Sequence, residues 1–278
     1  MPEWWQILLT IAAGVVTGLL SGMFGIGGAI ISNPALRALG AGPRIAIGST
    51  LPAIIPGALT GALRYRREGL IITRVFRWTA PFGIVSSVGG AFAADAIPEA
   101  HALTLALAVL LGITSVRLSR TPRPPVPVVA ETDAETAATT AGQISPGGHD
   151  ASAAQVPRWK LGVTGLLAGG LSGLLGVGGG VLMVPLFTGW LRIPLKPALA
   201  TSLACVGILA IPGTISHAAL GHIDWGFALP LAIGIVPGAR LGAHITIGIS
   251  EHRLRVLVGT VLGVISVVYG VAELVALV

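Results

Sequence analysis

The sequence predicts an all-α polytopic membrane protein. It has two homologous, inverted halves, broken or hairpin helices at Gly-rich motifs, and about eight to ten membrane helices. Three observations predict this class. The 278 residues are 53% hydrophobic and only 10% charged, against about 25% charged in soluble domains. Long uncharged runs recur along the chain. One Gly-rich block occurs twice. Forty glycines and nineteen prolines suit membrane helices better than soluble ones. The single Cys205 excludes a disulfide framework and a Cys-pair metal or redox site. The net charge of +6 does not indicate nucleic acid, because the basic residues lie between apolar runs and form no separate domain.

Taken in order, the first uncharged run is Ile7–Leu36 and its counterpart is Leu161–Leu191. As single helices they would reach about 45 Å, against a hydrocarbon core of about 30 Å. Glycines interrupt both near the middle, so each is expected to be a broken helix or a short hairpin. The runs Ile45–Leu63, Trp78–Ala94, Ala102–Val116, Pro197–Ser216, Trp225–Ala239 and Val256–Ala272 each fit one span. The N-terminus lacks a basic n-region and reads as a retained membrane segment opening on Trp4 and Trp5. Between the halves, Pro122, Pro124, Pro125 and Pro127 precede a Thr/Ala/Gly/Ser-rich tract with no apolar periodicity. The expected organisation is a transmembrane repeat over 1–118, a disordered cytoplasmic linker over 119–158, and a second transmembrane repeat over 159–278.

The duplication is explicit. At an offset of 151, Gly14, Gly18, Ser21, Gly22, Gly25, Gly27, Gly28 and Pro34 match Gly165, Gly169, Ser172, Gly173, Gly176, Gly178, Gly179 and Pro185. At 152, Ser49 and Thr50 match Thr201 and Ser202. Further on, an offset of 149 aligns Pro81 with Pro230 and Gly89 with Gly238. The positive-inside rule orients the halves. If each long run returns to the side it left, Arg64, Arg66, Arg67, Arg74, Arg77, Arg117, Arg120, Arg123, Arg158, Lys160, Arg192, Lys196, Arg253 and Arg255 share the cytoplasmic face. Arg37 and Arg44 then lie outside and Arg240 within a span. This arrangement inverts the halves.

The glycine motifs are the candidate site. Gly14, Gly18, Gly22 and Gly165, Gly169, Gly173 recur at spacing four and read as helix-packing stripes. Gly25, Gly27, Gly28 and Gly176, Gly178, Gly179, Gly180 break that spacing and read as helix breaks. Short helices starting after them would turn their N-termini, which favour anions, toward the membrane middle. Asn33, Ser49, Thr50, Thr201 and Ser202 are candidate additional donors to a small anionic substrate. Arg240, inside a span, is either its countercharge, or a snorkelling arginine, or one structurally paired with Asp95 or Asp224. His217, aligned with Tyr65, is the proton-coupling candidate, although it and His244 read first as neutral histidines satisfied by helix carbonyls. No spacing suggests a metal or cofactor. Gly170-Leu171-Ser172-Gly173 matches an intramembrane serine protease pattern. The twin Ser21 makes it read as architecture, so no enzyme is expected.

These residues together resemble the TauE/SafE sulfite exporter family. The resemblance rests on the twice-occurring block Ser21–Pro34 and Ser172–Pro185, on Ala200–Leu203, on Ser216–Trp225 and on Pro237–Ala243. It covers both halves and omits the linker. The first half departs from it at Leu70–Thr73, where the second half has His-Ile-Asp-Trp, and at Ala29, where the second half has a third glycine. The resemblance implies transport of small sulfur-containing anions, such as sulfite or sulfonates, across a prokaryotic inner membrane. Alternating access about a midplane site is the expected mechanism, in contact with lipid and without nucleic acid. A passive anion channel is the alternative. The sequence leaves open whether the protein is a homo-oligomer.

Overall fold

The computed structural model describes residues 4–96, 109, 111–113, 115–116, 156–175 and 178–276. The expected linker lies outside them except at residues 156–158, and so does most of the Ala102–Val116 run. The described residues form helices and no strand. In the first half these are α1 (Trp4–Phe24), α2 (Ala29–Ala38), α3 (Pro43–Arg67) and α4 (Thr73–Ala96). In the second they are α5 (Arg158–Leu175), α6 (Gly180–Pro185) continuing into a π turn (Leu186–Trp190), α7 (Leu195–Ala219), α8 (Trp225–Gly248) and α9 (Glu251–Ala276). Among the described residues, α1, α3, α7 and α8 are by length and composition able to cross a membrane. Their outer faces carry large exposed apolar side chains such as Leu8, Leu59, Ile215 and Ile233, the surface lipid requires.

Both long uncharged runs break where the glycines are. The first separates α1 from α2 at 25–28, and the second separates α5 from α6 at 176–179. Each run also returns to the end at which it began. Gln6 Nε2 donates to the Leu39 carbonyl at 3.0 Å, tying the start of α1 to the end of α2. Trp159 meets Trp190 edge-on at 5.9 Å between ring centroids, tying the start of α5 to the end of the π turn.

The halves exchange helices. α1 packs along α8, and α5 packs along α4. Glycine stripes make both contacts close. A methyl on Gly14 would stand 2.6 Å from the Leu231 carbonyl oxygen, and methyls on Gly18 and Gly22 would collide with the Ile235 and Ala239 carbonyls. In the other seam Gly165, Gly169 and Gly173 press against the carbonyls of Thr79, Gly83 and Ser87. Small residues let membrane helices approach this closely. Each pair of contacted residues differs by 152 (231 and 79, 235 and 83, 239 and 87), which corrects the offset of 149 read from Pro81 and Gly89. Gly89 has open space around it, whereas a methyl on Gly238 would collide with the Val15 carbonyl, so the two glycines are not equivalent.

The core is centred on α3 and α7. Leu199, Leu203, Val206 and Leu209 of α7 and Ile54 and Tyr65 of α3 are all buried. The two helices also anchor the fourth helix of the opposite half. The Ile72 N–H, just before α4, donates to Thr201 Oγ1 at 3.0 Å. The Asp224 N–H, just before α8, donates to Ser49 Oγ at 2.9 Å. The Asp224 carboxylate caps α8 by accepting from the Gly226 N–H at 2.8 Å.

Candidate functional site

The two glycine breaks meet in the middle of the molecule. Gly27 and Gly178 have φ of 81° and 80°, a region that costs other residues about 1–2 kcal/mol. A methyl on Gly27 would stand 2.7 Å from Val206 Cγ1 and 3.4 Å from the Gly178 carbonyl oxygen. A methyl on Gly180 would stand 2.5 Å from the Gly25 carbonyl oxygen. Val206 is the twelfth of the 25 residues of α7, so the junction lies level with the middle of that helix.

A helix broken inside a membrane must satisfy its last carbonyls without water. Side chains from three other helices do this for α1. Tyr65 Oη of α3 donates to the Gly22 carbonyl at 2.6 Å. Thr246 Oγ1 of α8 donates to the Met23 carbonyl at 3.1 Å. Ser202 Oγ of α7 donates to the Gly25 carbonyl at 2.8 Å and lies 3.5 Å from the Gly180 carbonyl. Ser202 therefore touches both breaks. Tyr65 was visible in the sequence only as the residue aligned with His217.

The N-termini of α2 and α6 are arranged differently from these ends. Gly28 and Gly179 are their N-caps, and neither helix has a side-chain cap. The N–H groups of Ile31 and Ser32 bond to the Gly28 carbonyl, and those of Leu182 and Met183 to the Gly179 carbonyl. Both first turns thus begin at the junction with their positive dipole ends directed into it. Thr17 lies beside Gly28, where a methyl would meet its Cγ2 at 2.7 Å. Its Oγ1 is buried and without a hydrogen-bond partner, as are Thr50 Oγ1 and Asn33 Oδ1. Thr17 escaped sequence reasoning because its repeat position, Ala168, is apolar.

The residues expected at the site therefore divide. Gly25, Gly27, Gly28, Gly178, Gly179, Gly180 and Ser202 come together, and Gly176 lies outside the described residues. Thr50 precedes Leu51, which shares an apolar cluster with Ala29 and Val206. Asn33 is on α2, one turn beyond Ala29. Ser49 and Thr201 accept the N–H groups that lead into α8 and α4. Arg240 is exposed. It stands about 200° round α8 from Gly238, facing away from the α1 seam. His217 Nδ1 lies 3.3 Å from His222 Nδ1, eleven residues or about 16 Å along α7 from Val206. His244 Nδ1 lies 3.5 Å from Arg64 Nη2, and Arg64 pairs with Glu68. Ser172 and Ser21 do the same work in their halves. Their Cβ atoms lie 3.3 and 3.4 Å from where methyls on Gly179 and Gly28 would be.

Comparison with known proteins finds relatives named as membrane transporters. The sequence is 27% identical to the probable membrane transporter protein YunE of Bacillus subtilis over 86% of this chain and 88% of that one. It is 25% identical to a probable membrane transporter protein of Xylella fastidiosa over 94% of each. It is 23% identical to the probable membrane transporter protein YjnA of Bacillus subtilis over 91% of this chain and 95% of that one. No solved structure matches the chain. The profile of the family described as sulfite exporter TauE/SafE matches residues 10–269, almost the whole chain, and the protein belongs to that family.

Proposed function

We propose that the protein is a secondary transporter for a small sulfur-containing anion, with the glycine junction as its binding site. Sulfite, a sulfonate or a related organosulfur acid is the substrate class. The observation that carries this reading is the convergence of two N-termini without side-chain caps, level with the middle of α7, in a chain of this family. N–H groups and helix dipoles at that point favour a negative charge. Buried, unpartnered hydroxyls at Thr17 and Thr50 add donors. Backbone recognition at broken helices is a recurrent transporter design. The protein's work is then binding and translocation, with no covalent step. Ser21 and Ser172, packed alike in their two halves, support this over a serine protease.

Alternating access follows from opposed halves that rock about the junction. Inversion is supported by the hairpin ends and by the faces that the contacts connect. Arg74 Nη2 donates to the Val156 carbonyl at 3.4 Å, and Lys196 Nζ donates to the Ile247 carbonyl at 2.9 Å. With Arg158 over Trp78 and Arg64 beside His244, these contacts gather the basic ends of the helices on one side. On the positive-inside rule that side is cytoplasmic, in the inner membrane of a prokaryote, and the linker joins it.

Counterflow in proteoliposomes tests the reading. Labelled sulfite, then labelled sulfonates, is measured for wild type and for Gly178→Ala. Saturable counterflow lost in Gly178→Ala supports a carrier that uses the junction. Conductance without counterflow supports a passive anion channel. Counterflow unchanged in Gly178→Ala places the binding site elsewhere.

A further inference from the structure

We propose that the cluster of Trp78, Trp159 and Trp190 with Arg158 and Lys160 binds the phosphodiester headgroup of an anionic phospholipid. The cluster forms where α4, α5 and the end of the π turn come together on the basic side of the molecule. Arg158 Cζ lies 5.3 Å from the Trp78 ring centroid. Lys160 Nζ lies 5.7 Å from that of Trp159 and 5.8 Å from that of Trp190. The rings stay open to the surroundings, with Trp159 61% exposed, Trp78 37% and Trp190 36%. Amphipathic indoles prefer the headgroup level, and cations held there carry charge-assisted hydrogen bonds to phosphate. Arg77 and Arg192 flank the group and are exposed. The segments 73–78, 156–160 and 186–193 contain no acidic residue. Among the described residues, these three segments therefore carry one sign of charge and complement a phosphate.

The duplication shows that packing does not require these side chains. The fold places Ile7, Leu8, Leu9, Leu39 and Pro230 at the positions that correspond, by offsets of 151 and 152, to Arg158, Trp159, Lys160, Trp190 and Trp78. That hairpin closes through the hydrogen bond from Gln6 to the Leu39 carbonyl instead, with aliphatic residues at every one of these positions. Trp78, Trp159 and Trp190 stand with two cations at one hairpin end, whereas the other three tryptophans, Trp4, Trp5 and Trp225, begin α1 and α8 on the opposite face next to Glu3 and Asp224 in the sequence. The tryptophans serve both faces, as an aromatic belt does, and the cations held over the rings distinguish this end.

The test uses the full-length protein in two measurements. In the first, wild type is reconstituted in vesicles containing equal fractions of brominated phosphatidylglycerol or brominated phosphatidylcholine. Stronger quenching of tryptophan fluorescence by the brominated phosphatidylglycerol is expected, and equal quenching overturns the proposal. This arm needs no variant to fold. In the second, thermal melts in detergent are titrated with phosphatidylglycerol, phosphatidylcholine or glycerol phosphate. Phosphatidylglycerol raises the wild-type Tm by several degrees more than phosphatidylcholine, and glycerol phosphate does not reproduce the rise. The rise is lost in Arg158→Gln/Lys160→Gln and kept in Arg37→Gln/Arg44→Gln on the other face. A rise that survives in the first pair, or one that glycerol phosphate reproduces, overturns a headgroup site at this cluster.

Discussion

The N–H of Ile72 donates to Thr201 Oγ1 at 3.0 Å, so the first half begins its fourth helix against a hydroxyl of the second half. Asp224 and Ser49 repeat the bond in the opposite sense at 2.9 Å. Replacing either hydroxyl leaves a backbone N–H with no acceptor, at a cost of about 1–3 kcal/mol. Thr201→Val and Ser49→Ala are each expected to lower the Tm to a similar degree. The sites are separate, so the double variant should lose the sum. Thermal unfolding in detergent measures this. A changed KM for substrate at unchanged Tm would return both hydroxyls to the binding site.

The seams predict a sharp contrast between neighbouring glycines. Gly169→Ala drives a methyl into the Gly83 carbonyl, while Gly170→Ala places one in open space. The first should cost about 1–3 kcal/mol or more through overpacking of backbone against backbone. The second should stay within about 0.5 kcal/mol of wild type. Gel-filtration homogeneity and Tm of the two purified variants decide between them.

At the junction, Gly27→Ala carries both the left-handed backbone penalty of about 1–2 kcal/mol and a clash with Val206. Counterflow is expected to fall at least tenfold while helix content by circular dichroism is retained, because α1 and α2 lie outside the altered turn. Wild-type counterflow in this variant would exclude the junction as the site.

Arg240→Gln should leave counterflow unchanged, since Arg240 is exposed and faces away from the α1 seam. Saturable exchange abolished in this variant alone would reinstate the arginine as countercharge.

Arg192 has φ of 55°, whereas the first half has Gly40, with φ of 95°, at the matching turn. Arg192→Gly relieves a conformation that costs about 1–2 kcal/mol and gives back part of the gain as chain entropy. A rise in stability of about 1 kcal/mol or less is expected, read as a higher Tm. A lower Tm would mean that the arginine contributes more through its surroundings than its backbone costs.

Much of this architecture could be read from the sequence because it is written there twice. The uncharged runs located the helices more closely than their ends: Ile45–Leu63 became Pro43–Arg67 and Pro197–Ser216 became Leu195–Ala219, while Trp225–Ala239 ran on to Gly248. The stripe at Gly14, Gly18 and Gly22 was legible because spacing four is itself the geometry of close packing. Its partner was not, since nothing in a local pattern says that α1 lies against α8. The match of Pro81 with Pro230 failed for a related reason. Identity of residue type does not fix environment: Pro81 is exposed and Pro230 buried. The glycine breaks were legible from their broken spacing, whereas Thr17 and the roles of Tyr65 and Thr246 depend on tertiary contacts. Arg240 stood out as a charge within a span, but which side of α8 it occupies depends on where the seam runs.

The exchanged seams also set an order of assembly. Gly14 of α1 reaches its place against Gly234 of α8 only after some 220 further residues have been made. At about 5–20 residues per second, that interval is roughly 10–45 s. Throughout it, α1 is in the membrane with its glycine stripe unmatched. α4 waits for a shorter time, until α5 emerges beyond the linker. The first half therefore cannot complete itself. Nascent chains truncated before α8 lack one side of the α1 seam and leave its glycine stripe uncovered.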